Sequence, residues 1–156
     1  MKADIQAEQL QLAYLEAEFA CIDLLLRREV RRWEVAGQDP NDDYRGLYIT
    51  QTEAAALLDL PFGVSWGQSI QLPQLEEEAF AQTYTIARQR VEELAHTLTT
   101  QNIQPRLQQI ASAFELDRTA LNILLLCLAP AFATRYERVY GYLQDNVTRR
   151  RPTIRL

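Results

Sequence analysis

The stretch Phe114 to Leu156, FELDRTALNILLLCLAPAFATRYERVYGYLQDNVTRRRPTIRL, decides how the chain folds. It holds the densest apolar run in the sequence, Leu121 to Leu128. A helix that is apolar on every side is a buried helix, so this run reads as the centre on which the other helices pack. It is too short to cross a bilayer, which takes roughly 20 apolar residues. Pro130 closes it, giving a helix over Arg118 to Ala129. The next helix runs from about Thr134 to Gln144 and carries Tyr136, Val139, Tyr140 and Leu143 on one face. Asp145-Asn146 is a turn. Arg149, Arg150 and Arg151 follow, Pro152 suits a first helical turn, and Ile154 and Leu156 start another apolar pattern.

Upstream, Leu107, Ile110 and Phe114 mark a short helix after Pro105, and Glu115-Leu116-Asp117 is a turn into the apolar helix. Leu75 to Thr99 is a long helix with Phe80, Tyr84, Ala87, Val91, Leu94 and Leu98 as its stripe. Glu76, Glu77 and Glu78 fall in its first turn, where negative charge suits the dipole. Ile5 to Trp33 is a second long helix, striped by Leu12, Leu15, Phe19, Ile22, Leu26, Val30 and Trp33. It either packs antiparallel on the other long helix or forms a seam with a second chain. Arg27-Arg28 and Arg31-Arg32 read as its solvated C-terminal face. Ala36 to Asp43 is a loop, Tyr44 to Ile49 a short β segment, and Thr50 with Glu53 a capping box for a helix to about Leu60. Residues 61–73 read as a loop, in which Trp66 is either a buried plug or a partner anchor.

The fold class is therefore mainly α: two long helices and a helix-turn-helix-like C-terminal half, with at most a small β element. The 156 residues are one domain's worth of chain. Five Gly and six Pro argue against a loop-rich all-β fold. A net charge of −5 and a pI near 4.9 weigh against a stand-alone nucleic-acid binder. Cys21 and Cys127 each lie in an apolar helical pattern and read as small buried hydrophobes. With no signal peptide at Met1-Lys2-Ala3-Asp4, the expectation is a reduced, cytoplasmic protein with no membrane segment.

Catalytic signatures are missing from the sequence. A phosphate loop needs glycines followed by Lys and Ser or Thr, and Lys2 is the only lysine. His96 is the only histidine, lies beside an apolar stripe, and reads as structural. Cys21, His96 and Cys127 are isolated, which is not metal-ligand spacing. The expectation is a chain without catalytic residues, metal or cofactor of its own.

Residues 120–156 resemble the domain that precedes the ATPase module in a family of bacterial AAA+ ATPases, described as a variant winged helix. The shared features are Leu128-Ala129-Pro130, Arg135-Tyr136-Glu137-Arg138, Tyr140, Tyr142-Leu143-Gln144-Asp145 and Val147-Thr148-Arg149-Arg150-Arg151-Pro152-Thr153. Tyr44-Arg45-Gly46-Leu47-Tyr48-Ile49 is a weaker match. The family more often has an acidic residue where this chain has Asn146. The resemblance implies one N-terminal domain over residues 1–156, winged-helix-like in its helical part over 74–156, with an ATPase module, its ATP and its Mg²⁺ expected beyond residue 156. It implies recruitment of a protein substrate or adaptor, and more loosely a place among contractile injection systems and assembly through the parent protein.

The helix-turn-helix outline invites a rival, a DNA-binding winged helix with Arg149 to Arg151 on phosphates. A DNA-reading second helix needs polar side chains, and this one offers Arg118 and Asn122 among leucines. Nucleic acid is therefore disfavoured, and a self-assembling helical module is the third reading. The candidate contact residues are Arg149, Arg150, Arg151, Arg138, Tyr142 and Trp66. The arginine run is either a contact for an acidic surface, nucleic acid or the ATPase module, or a solvated linker.

Overall fold

A computed structural model describes residues 2–36, 51–59 and 70–153. Among these residues the chain forms six helices and no strand. They are α1 (Lys2–Val35), α2 (Gln51–Leu58), α3 (Gln74–Thr100), α4 (Arg106–Ala113), α5 (Arg118–Phe132) and α6 (Arg135–Leu143). The mainly α class is what the helical periodicities require. The β segment expected at Tyr44 to Ile49, the capping Thr50 and the loop residue Trp66 lie outside the described residues.

The chain divides into two compact units, Met1–Leu25 with Glu78–Leu126, and Leu26–Glu77 with Cys127–Leu156. In the first unit, Tyr14, Cys21 and Ile22 of α1 are buried, as are Val91, Leu94 and Leu98 of α3, Leu107 of α4, and Leu121 and Leu125 of α5. Burying each such Leu or Ile contributes about 1.5–3 kcal/mol. The stripe expected on α3 is the one observed. On α1 the buried face is rotated: Leu12 is 54% exposed, and Tyr14, Glu18 and Cys21, which lie outside the expected stripe, are buried beside Ile22. In the second unit the buried side chains are Leu26, Leu72, Ala129, Tyr136, Tyr140 and Leu143.

Glu18 is fully buried and crosslinks three helices of the first unit. Its carboxylate accepts from Arg88 Nη1 of α3 at 2.7 Å, Arg118 Nη1 of α5 at 2.9 Å and Tyr14 Oη at 3.1 Å. Burial, and then the neighbouring Glu18 carboxylate, push the Tyr14 hydroxyl up to about 12. Burial likewise raises the Cys21 thiol, so its reactive thiolate form is disfavoured. Gln11 of α1 closes the α3–α4 connection by donating to Gln104 O at 3.0 Å and accepting from Arg106 N–H, a first-turn donor of α4, at 3.1 Å. Gln11 meets Gln104 just past the end of α3 while Glu18 meets Arg88 within it, so α1 and α3 run antiparallel in this unit.

Three helix ends share one device. In each, a residue in the left-handed region follows the helix: Asn102 (φ 58°), Glu115 (φ 52°) and Asp145 (φ 47°). Each lets two N–H groups return to the last turn, as Asp145 N–H does to Tyr142 O at 3.2 Å and Asn146 N–H to Gly141 O at 2.9 Å. Glycine is the usual occupant, so the ends at Glu115 and Asp145 carry backbone strain. α5 begins with Asp117, whose carboxylate accepts from Ala120 N–H at 2.7 Å.

Four expectations are corrected. α5 is buried along Leu121, Leu125 and Ala129 alone; Ile123 is 56% and Leu128 37% exposed. Its helical neighbours cover one side of the leucine run and leave the other to solvent. Cys127 falls on that outer side and is exposed, unlike Cys21. α5 also continues through Pro130 to Phe132, because a proline near the C-terminal end removes a single N–H and leaves the turn before it intact. Ile110 and Phe114 are exposed too, leaving Leu107 as the buried anchor of α4.

Of the arginines at the end of α1, Arg27 is exposed as expected, but Arg28, Arg31 and Arg32 are paired. Within the second unit Arg28 holds Glu77 with two hydrogen bonds at 2.7 and 2.9 Å, and Arg31 holds Glu76 at 2.8 and 3.1 Å. Arg32 bridges Glu29 and Glu77. The hydrogen bonds from Arg28 hold the Glu77 carboxyl below the usual carboxylate range, and Arg31 does the same for Glu76. The glutamates that open α3 therefore serve both its dipole and the arginines of α1.

Candidate interaction groove

α6 is short but well specified. Tyr136, Tyr140 and Leu143 recur at helical spacing and are buried, with the two tyrosine rings 6.2 Å apart and tilted. The guanidinium of Arg135 lies 5.0 Å above the Tyr136 ring. The opposite side carries Arg138, which is exposed, and four residues on Tyr142, which is half-buried with its hydroxyl covered.

Gly141 lets the chain fold back tightly after α6. A Cβ at this buried position would stand 3.3 Å from Asn146 O and 3.5 Å from Val147 Cα. Glycine inside a helix costs about 1 kcal/mol relative to alanine; here it permits the close approach of the following loop. Asn146 Oδ1 then accepts from Thr148 N–H at 3.0 Å and Thr148 Oγ1 at 2.6 Å. The turn uses an acceptor oxygen, which a carboxylate supplies equally well.

Gln144 fixes the arginine run. Its Nε2 donates to Tyr140 O at 3.1 Å and to Arg151 O at 2.9 Å, and its Oε1 accepts from Thr153 Oγ1 at 2.7 Å. The backbone of Arg149 to Thr153 is thereby held against the end of α6, while Arg149, Arg150 and Arg151 are exposed.

Between α6 and this returning segment lies an open groove of about 720 Å³. Arg135, Arg138 and Tyr142 line it from the helix, Thr134 from the position before it, and Val147 and Arg150 from the segment. Gly141 and Asn146 also line it, and Glu137 and Asp145 add two carboxylates. Arg150 Nη1 is 3.8 Å from Glu137, an exposed and long pair of little energetic weight. Arg138 makes no ion pair or hydrogen bond among the described residues.

The fold thus brings Arg138, Tyr142 and Arg150 to one groove, with Arg149 and Arg151 beside Arg150 in sequence. Trp66 lies outside the described residues. Sequence reasoning missed Glu18 and Gln144. The signal for Glu18 was available: a carboxylate at the helical spacing of Tyr14, Cys21 and Ile22 is on the core face and must be paired. Gln144 carried no such signal. No group of three or more His, Cys, Asp or Glu side chains among the described residues has metal-binding geometry. No described helix is long and apolar enough to cross a membrane.

Among known families, the winged helix domain, variant, matches the chain over residues 4–156. No curated protein and no solved structure matches the chain.

Proposed function

Because the chain belongs to the variant winged helix domain family, we propose that it is a non-catalytic protein-interaction domain, one that recruits a substrate or adaptor to an AAA+ ATPase module following it. ATP and Mg²⁺ belong to that module, and this domain contributes a surface. The carrying observation is the outward side of α5, the second helix of the helix-turn-helix. Its exposed positions include Ile123, Cys127 and Leu128, while Arg118 is tied to Glu18. Base edges are read by hydrogen-bonding side chains; an apolar outer side suits a protein partner. The tie to an ATPase rests on the resemblance of residues 120–156, as does the looser association with contractile injection systems.

Titrating labelled duplex DNA at low and at physiological salt tests the reading. Little binding at either is expected. Tight binding that falls steeply with salt, the mark of phosphate contacts, overturns it in favour of the DNA reader. The ATPase half is tested by the coding sequence beyond residue 156: a phosphate-loop motif is expected, and its absence removes that half. A second reading, self-assembly along α1, is favoured by Ile5 and Leu12, each 54% exposed and seven residues apart. Sedimentation of the chain and of Leu12→Glu decides it, because a monomer at every concentration excludes a seam.

A further inference from the structure

We propose that the groove between α6 and the returning arginine segment takes an acidic peptide segment, one with an apolar side chain among its carboxylates. The inference rests on the protein-interaction reading and names the partner's chemistry. The described residues 127–153 hold five arginines and two acidic residues, a surplus of three positive charges in a chain whose total is −5. The surplus is therefore a local feature of the part that forms the groove. Arg138 and Arg150 reach it from opposite walls, one from the helix and one from the segment. Guanidinium groups pair with carboxylates through two parallel hydrogen bonds, which rewards a planar carboxylate over a point charge.

The lining also distinguishes peptide from nucleic acid. Glu137 and Asp145 lie among the arginines. A sugar-phosphate chain presents charge at every step and meets both carboxylates as repulsion. A peptide alternates carboxylates with N–H donors, so it can offer donors where the groove is acidic. Val147, 59% exposed, and the half-buried Tyr142 supply an apolar patch for one side chain of the peptide. The groove is also held ready for an occupant. Gln144 fixes the backbone of the segment, so the cost of ordering that backbone is already met and only the side chains remain to be ordered on binding.

Fluorescence anisotropy of a labelled peptide in which glutamates flank a single leucine tests the proposal, with a lysine-for-glutamate peptide and a single-stranded DNA oligonucleotide alongside. The glutamate peptide is expected to bind and the lysine peptide not to. Arg138→Glu should weaken binding at least about tenfold, the loss expected when a charged hydrogen-bond partner is removed. Arg90→Glu, which reverses an exposed arginine of α3, should leave affinity unchanged. Circular dichroism establishes that each variant is folded, which the exposure of Arg138 favours. Equal weakening by Arg138→Glu and Arg90→Glu overturns the proposal, since attraction is then diffuse. No binding of the glutamate peptide overturns it as well, while leaving the protein-interaction reading standing. DNA binding that is tighter than peptide binding and lost with Arg138→Glu overturns both.

Discussion

Glu18→Ala isolates the contact on which the first unit depends. The carboxylate is fully buried and accepts from two guanidinium groups and one tyrosine hydroxyl. Breaking a buried ion pair from one side costs about 3–5 kcal/mol, because the remaining charge is stranded. Here the stranded charges are unequal. The Arg88 side chain is 19% exposed and the Arg118 side chain 43% exposed. Arg118 regains water on losing its partner, and Arg88 regains little. The loss should therefore fall at the lower end, about 3 kcal/mol. For a chain of this size that is a drop in Tm of roughly 6–12 °C. Glu18→Gln keeps the shape and an acceptor oxygen and should lose less, about 1–2 kcal/mol. The pair Glu18→Leu with Arg88→Met removes both charges and should be less damaging than Glu18→Ala alone. Urea unfolding followed by circular dichroism measures all three. If Glu18→Ala costs no more than the exposed Glu93→Ala, the carboxylate is not a crosslink and the reasoning fails.

Four further outcomes follow from the same geometry. Gly141→Val forces two methyl groups toward Asn146 O and Val147; a stability loss of about 1–3 kcal/mol is expected, and an unchanged urea midpoint contradicts the close approach. Gln144→Ala releases Arg149 to Thr153, so trypsin should cut at Arg149 or Arg150 about five to ten times faster, the equivalent of one lost hydrogen bond; an unaltered rate denies the clamp. Tyr14 has a folded pKa raised to about 12, above its value near 10 in the unfolded chain. Its contribution of about 2–3 kcal/mol is thus complete below pH 10 and lost as pH rises through 12, so Tyr14→Phe should flatten the alkaline fall in stability measured between those limits. Glu115→Gly relieves a left-handed residue at an exposed helix end and should raise stability by about 0.5–1 kcal/mol, partly offset by the freedom of glycine in the unfolded chain; a lower midpoint in urea counts against strain there.

Helix identity was legible in the residues themselves. The stripe Val91, Leu94 and Leu98, and the alternation of Tyr136, Tyr140 and Leu143, are local periodicities, and a helix places such residues on one side whatever surrounds it. The turns at Glu115 and Asp145 were legible for the same local reason. Depth of burial was not. The run Leu121 to Leu128 is apolar throughout, and periodicity within it cannot say which side a neighbour covers; packing chose Leu121, Leu125 and Ala129 and left Ile123 and Leu128 in solvent. Charge pairing was not legible either. Arg28 and Glu77 are 49 residues apart in sequence, and Glu18 and Arg118 are 100 apart. Such partners meet only when separate helices are laid together. The sequence alone determined that the chain is helical and where its arginines gather. Tertiary structure decided which arginines are spent on glutamates and which face a groove, because that choice depends on distances between helices that no local pattern encodes.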